Sequence, residues 1–326
     1  MKPKILVTRA VFPEVIERLS QHFDVESNQQ DETFDEAELI RRLQGKDGVF
    51  SNPTDRLSAN VIQSVPGLKA ICNMAVGYNN IDVPAATAAG VMVTNTPDVL
   101  NETTADLGWA LLMAAARRVT ESERSLRAGE WVKWTYDGYM GNDVHGSTVG
   151  IIGMGRIGQA VARRSMGFNM KVIYNNRSRL APELEAKANN AQYVSREELL
   201  RTADHIVLVL PYSAESHHTI GEKELAMMKP TATLVNIARG GIIDDAALIR
   251  ALKAGQIGAA GIDVFENEPN FNPGFLELKN VALTPHIGSA SLNTRMAMAN
   301  TAAGNLIAAL SGQTPPNLLN PQVLQK

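Results

Sequence analysis

The chain has 326 residues, room for two domains at roughly 150 residues each. Its 31 Lys and Arg against 34 Asp and Glu leave a net charge of −3 with no local basic run, which excludes the footprint of a nucleic-acid binder. One cysteine, Cys72, excludes an intrachain disulfide and Cys-based zinc or iron–sulfur sites, while 44% hydrophobic residues suffice for a packed core.

The opening MKPKILVTRA lacks the apolar run of a signal peptide, and no stretch approaches about 18 apolar residues. The expectation is a soluble, cytoplasmic protein without membrane spans. The first hundred residues alternate strand and helix signals. Lys4–Thr8 reads as a buried strand, and Phe12, Ile16, Leu19 and Phe23 repeat at helical spacing. Then come a helix Asp35–Leu43, a strand Gly48–Ser51, a helix Ser58–Val65, a strand Lys69–Asn73, a helix Val83–Ala89 and a strand Val91–Thr94. This alternation predicts a parallel sheet covered on both faces.

Asn101–Arg118 is small and apolar nearly all round, which predicts a helix buried on several sides, in a core or at a domain or subunit junction. A second series follows, with strands at Val149–Ile152, Lys171–Asn175, His205–Leu210, Thr233–Ile237, Gly258–Asp263 and Val281–Leu283. A last helix runs over Ser291–Leu310 and ends before a Pro-rich tail.

Gly153, Gly155 and Gly158 stand in the spacing G-x-G-x-x-G between an apolar strand and a helix containing Ile157 and Val161. In that context the motif reads as a dinucleotide loop. Gly153 allows the tight turn, Gly155 lets backbone approach a pyrophosphate, and Gly158 lets helix and strand pack closely. An acid is expected about 20 residues on, to hold the adenosine ribose. The chain has Asn175, Asn176, Arg177, Ser178 and Arg179 instead, a set suited to a 2′-phosphate, so NADPH is preferred over NADH. No tyrosine has a lysine four residues on, which removes the short-chain dehydrogenases.

Three later segments, Asn236–Asp244, Gly261–Pro269 and Thr284–Ser289, each follow a predicted strand, where open α/β sheets bind ligands. Arg239, Glu268 and His286 are therefore expected to converge on a cofactor held at Gly153–Gly158. With these motifs in order (GMGRIG, ARGGIID, DVFENEP, TPHIGS), the chain resembles the D-isomer-specific 2-hydroxyacid dehydrogenase family over essentially its whole length. NMAVGYNNID and GNDVHGSTVGIIGMGRIG point within it to bacterial glyoxylate/hydroxypyruvate reductases, also described as 2-ketogluconate reductases.

The resemblance implies a fold of two doubly wound α/β domains, Rossmann-like and flavodoxin-like, each on a parallel sheet, with the active site in a cleft between them. Residues 1–101 with 291–326 form the substrate domain and 102–290 the NAD(P) domain. Arg239 matches the arginine that binds substrate carboxylate and carbonyl. His286 matches the acid/base, and Glu268 the partner that hydrogen-bonds it and favours its protonated form. Val76 and Gly77 match the loop that holds the substrate carboxylate, and Arg295 a contact to polar substrate groups. Thr104, Gly153, Gly155, Arg156, Ile157, Gly158, Asn176, Arg177, Ser178, Pro211, Ile237, Ala238, Asp263 and Gly288 match cofactor contacts.

The reaction so implied reduces a small 2-ketoacid (glyoxylate, hydroxypyruvate or 2-ketogluconate) to the D-hydroxy acid. No metal is expected, and His22, His145, His205, His217 and His218 read as structural or surface residues. A homodimer is implied, with Asn101–Glu130 near its interface. Trp131 and Trp134 read as core or interface residues, with Trp134 a candidate to reach a neighbouring subunit's site. A phosphoglycerate-dehydrogenase-like NAD enzyme is the competing enzyme reading. A dinucleotide-sensing corepressor is the competing binding role, since fold and site do not fix biology. A glutamine in place of Glu268 would mark a formate-dehydrogenase-like chain, which this is not.

Overall fold

The computed structural model of the chain describes residues 1–325. Two compact units emerge: Met1–Leu100 with the chain from Ala290 onward, and Asn101–Ser289. No helix among the described residues is long and apolar enough to cross a membrane.

The first unit holds strands β1 (Lys4–Val7), β2 (Asp24–Ser27), β3 (Gly48–Ser51), β4 (Ala70–Asn73) and β5 (Met92–Thr94). They pair in parallel in the order β2-β1-β3-β4-β5, the flavodoxin-like arrangement. Helices α1 (Pro13–His22), α2 (Glu36–Leu43), α3 (Ala59–Gln63) and α4 (Val83–Ala88) make the crossovers. Their starts follow from local chemistry. Pro13 opens α1, Asp35 accepts the Glu38 N–H at 2.8 Å, and Ser58 accepts the Val61 N–H at 3.3 Å. Strands β3 and β4 are buried along their whole length, as both faces of a parallel sheet must be.

The second unit opens with α5 (Asn101–Ala116) and α6 (Val119–Arg127). The expected single helix to Arg118 is thus cut short. Arg118 sits in left-handed backbone (φ 54°) and separates α5 from α6. There follow β6 (Thr148–Ile152), α7 (Arg156–Arg164), β7 (Lys171–Asn175), α8 (Pro182–Lys187), β8 (Gln192–Tyr193), α9 (Arg196–Thr202) and β9 (His205–Leu208). Next come α10 (Glu222–Leu225), β10 (Thr233–Asn236), α11 (Asp245–Lys253), β11 (Ala259–Ile262) and β12 (Val281–Leu283). The chain then returns to the first unit as α12 (Leu292–Leu310), capped by Ser291 and seated over β3, where Gly48 faces Leu306.

The second sheet runs β12-β11-β10-β9-β6-β7-β8, all parallel. Strand order reverses between β6 and β9, the switch point where doubly wound sheets bind ligands. Helix α5 packs close to this sheet because small residues allow it. A Cβ on Gly261 would sit 2.8 Å from Leu111 Cβ, and one on Gly108 would sit 2.8 Å from Ile237 Cδ1. Trp109 stacks on Phe168 at 4.8 Å and donates its indole N–H to the Val161 carbonyl at 3.0 Å, joining α5 to α7. That explains a helix apolar all round: it is buried against the sheet and α7 within one unit. Trp131 and Trp134, by contrast, are 58% and 74% exposed, which corrects the core reading for both.

Gly261→Ala should overpack the α5–β11 contact at a cost of roughly 1–3 kcal/mol. A urea midpoint matching that of the unaltered chain would contradict this packing account.

Candidate active site

The loop after β6 begins with Gly153 at φ 98°, where a Cβ would lie 2.7 Å from the Leu210 backbone nitrogen. Only glycine fits that turn at the switch point. Gly155 starts α7 without a side-chain cap and with no atom near its would-be Cβ. Gly158 touches Gly153: its Cβ would be 2.3 Å from that carbonyl oxygen. The donors at the start of α7 and the open approach beside Gly155 fit a pyrophosphate. Arg156 and Ile157 form the first turn of α7, and Pro211 lies just past β9.

At the end of β7, Asn176 donates to the Ser178 carbonyl at 3.2 Å. Arg177 and Ser178 are exposed on this turn. Arg179 is engaged elsewhere, forking onto Glu185 with two bonds of 2.9 Å. Glu185 also accepts the Tyr174 hydroxyl at 2.7 Å. Of the two arginines on this turn, Arg177 therefore stands apart from the Glu185 pair.

The loops after β10, β11 and β12 are built around two buried polar side chains, Asn236 and Asp263. Asn236, at the end of β10, accepts the Ala238 N–H at 3.0 Å and donates to the Arg239 carbonyl at 3.1 Å. This bends the chain at Ile237 and Ala238, both buried, and sets half-buried Arg239. Burial pulls the Arg239 guanidinium below its ordinary value, against the opposing charge of Glu268. Gly240 meets the next loop, since a Cβ there would overlap the Phe265 carbonyl at 1.7 Å.

Asp263, just past β11, is buried and gathers three donors. Its Oδ1 accepts the Thr284 hydroxyl at 2.7 Å and the Ile287 N–H at 2.8 Å, and its Oδ2 accepts the Gly288 N–H at 2.9 Å. Its carbonyl accepts the His286 N–H at 2.9 Å. Burial raises the Asp263 pKa, and these bonds hold the shift down. His286 adopts left-handed backbone at φ 53°, a strained choice that the Asp263 bonds impose. Gly288 lies against Asp263 and buried Thr104, where a Cβ would be 3.2 and 3.5 Å away.

The result is a short contact between two loops: His286 Nδ1 and Glu268 Oε2 are 2.7 Å apart. Glu268 Oε1 accepts the Phe265 N–H, also at 2.7 Å. Burial works to raise the Glu268 pKa, but the hydrogen bond and charge of His286, the Phe265 N–H and Arg239 outweigh it and hold the carboxyl below its usual range. Arg239, Glu268, His286, Thr104, Asp263 and the glycine loop all belong to the second unit. Val76, Gly77 and Arg295 belong to the first. Buried Asn73 and Asn95 donate to the Gly77 and Val76 carbonyls, both at 2.9 Å, and Arg295 lies in the first turn of α12. Asn236, Asn73 and Asn95 went unmarked in the sequence. Each is the polar end or follower of an apolar strand, which is the signal that could have found them.

A glycine loop at a sheet's switch point, with arginine, glutamate and histidine on neighbouring strand-end loops, defines a dinucleotide-dependent oxidoreductase. Residues 109–288 match the NAD binding domain of D-isomer specific 2-hydroxyacid dehydrogenases. The chain belongs to the D-isomer specific 2-hydroxyacid dehydrogenase family, whose NAD(P)-dependent enzymes interconvert 2-ketoacids and 2-hydroxyacids. It is 46% identical to a glyoxylate reductase of Thermococcus gammatolerans, over 100% of this chain and 98% of the relative. It is equally 46% identical to one of Pyrococcus horikoshii, over 100% and 98%. Among solved structures it is similar to an NADPH-dependent glyoxylate/hydroxypyruvate reductase of Sinorhizobium meliloti in complex with NADP and malonate. There the TM-score is 0.87 at 33% identity, covering 99% of this chain and 98% of that one.

Glu268 ionises more readily in the folded chain, so its contribution to stability is present above its ordinary value of about 4.3 and lost as pH falls through the lower, folded value. Glu268→Gln should remove that part of the acid sensitivity. Urea midpoints followed from pH 7 downward should converge for the two proteins in acid. Midpoints separated by a constant amount at all pH values would contradict the assignment.

Proposed function

We propose that the protein reduces small 2-ketoacids to D-2-hydroxyacids in the cytoplasm, with glyoxylate and hydroxypyruvate as substrates. NADPH is the preferred reductant and NADH a weaker one, and 2-ketogluconate is the longest substrate in range. The observation that carries the reading is the 2.7 Å pair of His286 Nδ1 and Glu268 Oε2, on loops neighbouring Arg239 in the glycine-loop unit. The relatives that match along the full chain are named glyoxylate reductases, which supports the substrate class.

A nicotinamide, when bound, supplies the hydride for the ketone carbon. The remaining work falls to the chain's own side chains. Glu268 is fixed by the Phe265 N–H and takes the Nδ1 side of His286, which leaves the Nε2 proton to pass to the ketone oxygen. Glu268 thereby selects one ring orientation, and once the Nε2 proton has left the protonated ring it holds the remaining proton on Nδ1. Arg239 presents a planar fork that pairs with the carboxylate and the polarised ketone oxygen, and its partial burial strengthens that attraction. The N–H groups of Val76 and Gly77 take the substrate carboxylate, and Arg295 takes further polar groups. Residues 1–101 with 291–326 act as the substrate domain, and 102–290 as the cofactor domain.

The cofactor preference rests on the turn after β7. It has no carboxylate for a ribose 2′-hydroxyl, and it offers Asn176, Arg177 and Ser178 to a 2′-phosphate. The exposed Trp131, Trp134 and Tyr136 suit a surface that a second copy of the chain covers, in a homodimer.

Initial rates on hydroxypyruvate, glyoxylate and 2-ketogluconate with NADPH and with NADH, read at the nicotinamide absorbance, test this directly. Turnover favouring NADPH is expected. His286→Ala should lower kcat by about 10²–10⁴ while dinucleotide binding persists. Arg177→Ala should raise the KM for NADPH and leave that for NADH nearly unchanged. Dinucleotide binding without turnover of any of the three acids would contradict the enzymatic reading. Equal losses with both dinucleotides in Arg177→Ala would contradict the 2′-phosphate role.

A further inference from the structure

The loop after β9 carries two adjacent histidines whose rings stack, with centroids 3.8 Å apart and planes 22° apart. Glu266, in the turn after β11, closes on them: its Oε1 is 2.7 Å from His218 Nε2. One ligand atom from each of His217, His218 and Glu266 lies within 4.8 Å of the others, and among the described residues no other group of three such side chains is so gathered. Glu266 is 48 residues from His218 and the two histidines are successive, so helical spacing does not reveal the group.

Each donor is held in place by another group. The Tyr212 hydroxyl is 3.2 Å from His217 Nδ1, with the two rings edge to face. Gly241 makes room for both rings, since a Cβ there would be 2.9 Å from Tyr212 Cε2 and 3.4 Å from His217 Nδ1. His218 takes left-handed backbone at φ 50° and donates its N–H to the Gly241 carbonyl at 2.8 Å. Glu266 is clasped by Asp245: its N–H donates to Asp245 Oδ2 at 3.0 Å, and its Oε2 accepts the Asp245 N–H at 3.4 Å. Metal-ligating histidines and carboxylates are oriented by such outer partners. A plain surface ion pair needs only His218 and Glu266, and it explains neither the stacked His217 nor the hydroxyl behind it.

We propose that His217, His218 and Glu266 form a binding site for one borderline divalent cation of the zinc, cobalt or nickel type. Two imidazoles and one carboxylate suit these ions, whereas magnesium and calcium prefer all-oxygen sets. Both histidines are exposed, so water completes the coordination. Two ligand atoms on a tetrahedral zinc stand about 3.3 Å apart at bonds of about 2.0 Å. The His218–Glu266 pair must therefore open by roughly half an ångström, and a pair at the 4.8 Å limit must close by roughly 1.5 Å, movements that fall to the two exposed imidazoles since Glu266 is half-buried. The site uses neither Glu268 nor His286, and it does not rest on the reaction proposed above.

The test uses the full chain without a histidine tag, stripped with chelator. Equilibrium dialysis against zinc, read by atomic emission, should give one ion per chain. Cobalt should give the visible absorption of a nitrogen–oxygen site. His217→Gln and Glu266→Gln should each weaken zinc binding by about tenfold or more, with melting temperatures of the metal-free proteins confirming that they fold. His286→Ala should bind zinc as the unaltered chain does. Three outcomes overturn the proposal: no zinc bound by the unaltered chain, undiminished binding in a folded His217→Gln or Glu266→Gln protein, or loss only in His286→Ala. The last would assign the ion to the Glu268–His286 pair.

Discussion

The candidate active site hangs on one buried carboxylate. Asp263 collects a hydroxyl and two backbone N–H groups from the segment Thr284–Gly288, and its own carbonyl takes the N–H of His286. Burying a carboxylate is costly unless such donors surround it. The bonds that meet this cost also force His286 into left-handed backbone and turn its ring toward Glu268. Asn236 does the same work one strand over, where it shapes the chain from Ala238 to Arg239. Two neighbouring strands thus end in buried polar groups that fold the loops beyond them. A histidine and an arginine held this way are already positioned for the roles proposed for them.

Close backbone contact ties these loops together. Gly240 rests against the Phe265 carbonyl, so the Arg239 loop and the Glu268 turn cannot shift independently. The Phe265 N–H then fixes one oxygen of Glu268 and leaves the other for His286. Gly261 admits α5, whose Thr104 lies against Gly288. Packing tolerances of a few tenths of an ångström at glycines therefore reach the geometry of the titratable pair.

The central strands were legible because they are apolar on both faces, as VGII of β6 and TLV of β10 show. The edge strands β2 (DVES) and β8 (QY) were not, because their outer flank meets solvent and their residues are mostly polar. The helix break at Arg118 was hidden too, since RRVTES continues a helical pattern and only the left-handed turn ends it. Arg239, Glu268 and His286 could be picked out by their place after strands, and the structure adds the contact between two of them. What lay beyond reach was which side chains pair. Glu185 captures Arg179, six residues away, and so singles out Arg177, and Glu266 meets His218 across 48 residues.

The claim that Asp263 acts through His286 is tested most directly by a double-mutant cycle on kcat. Asp263→Asn leaves one carbonyl acceptor and turns an amide against the Gly288 N–H. The account predicts a fall of about tenfold or more in the otherwise unaltered enzyme, and a change within about twofold when His286 is already alanine. The same fold loss in both backgrounds would contradict it, because Asp263 would then act on the reaction by a route that bypasses the histidine.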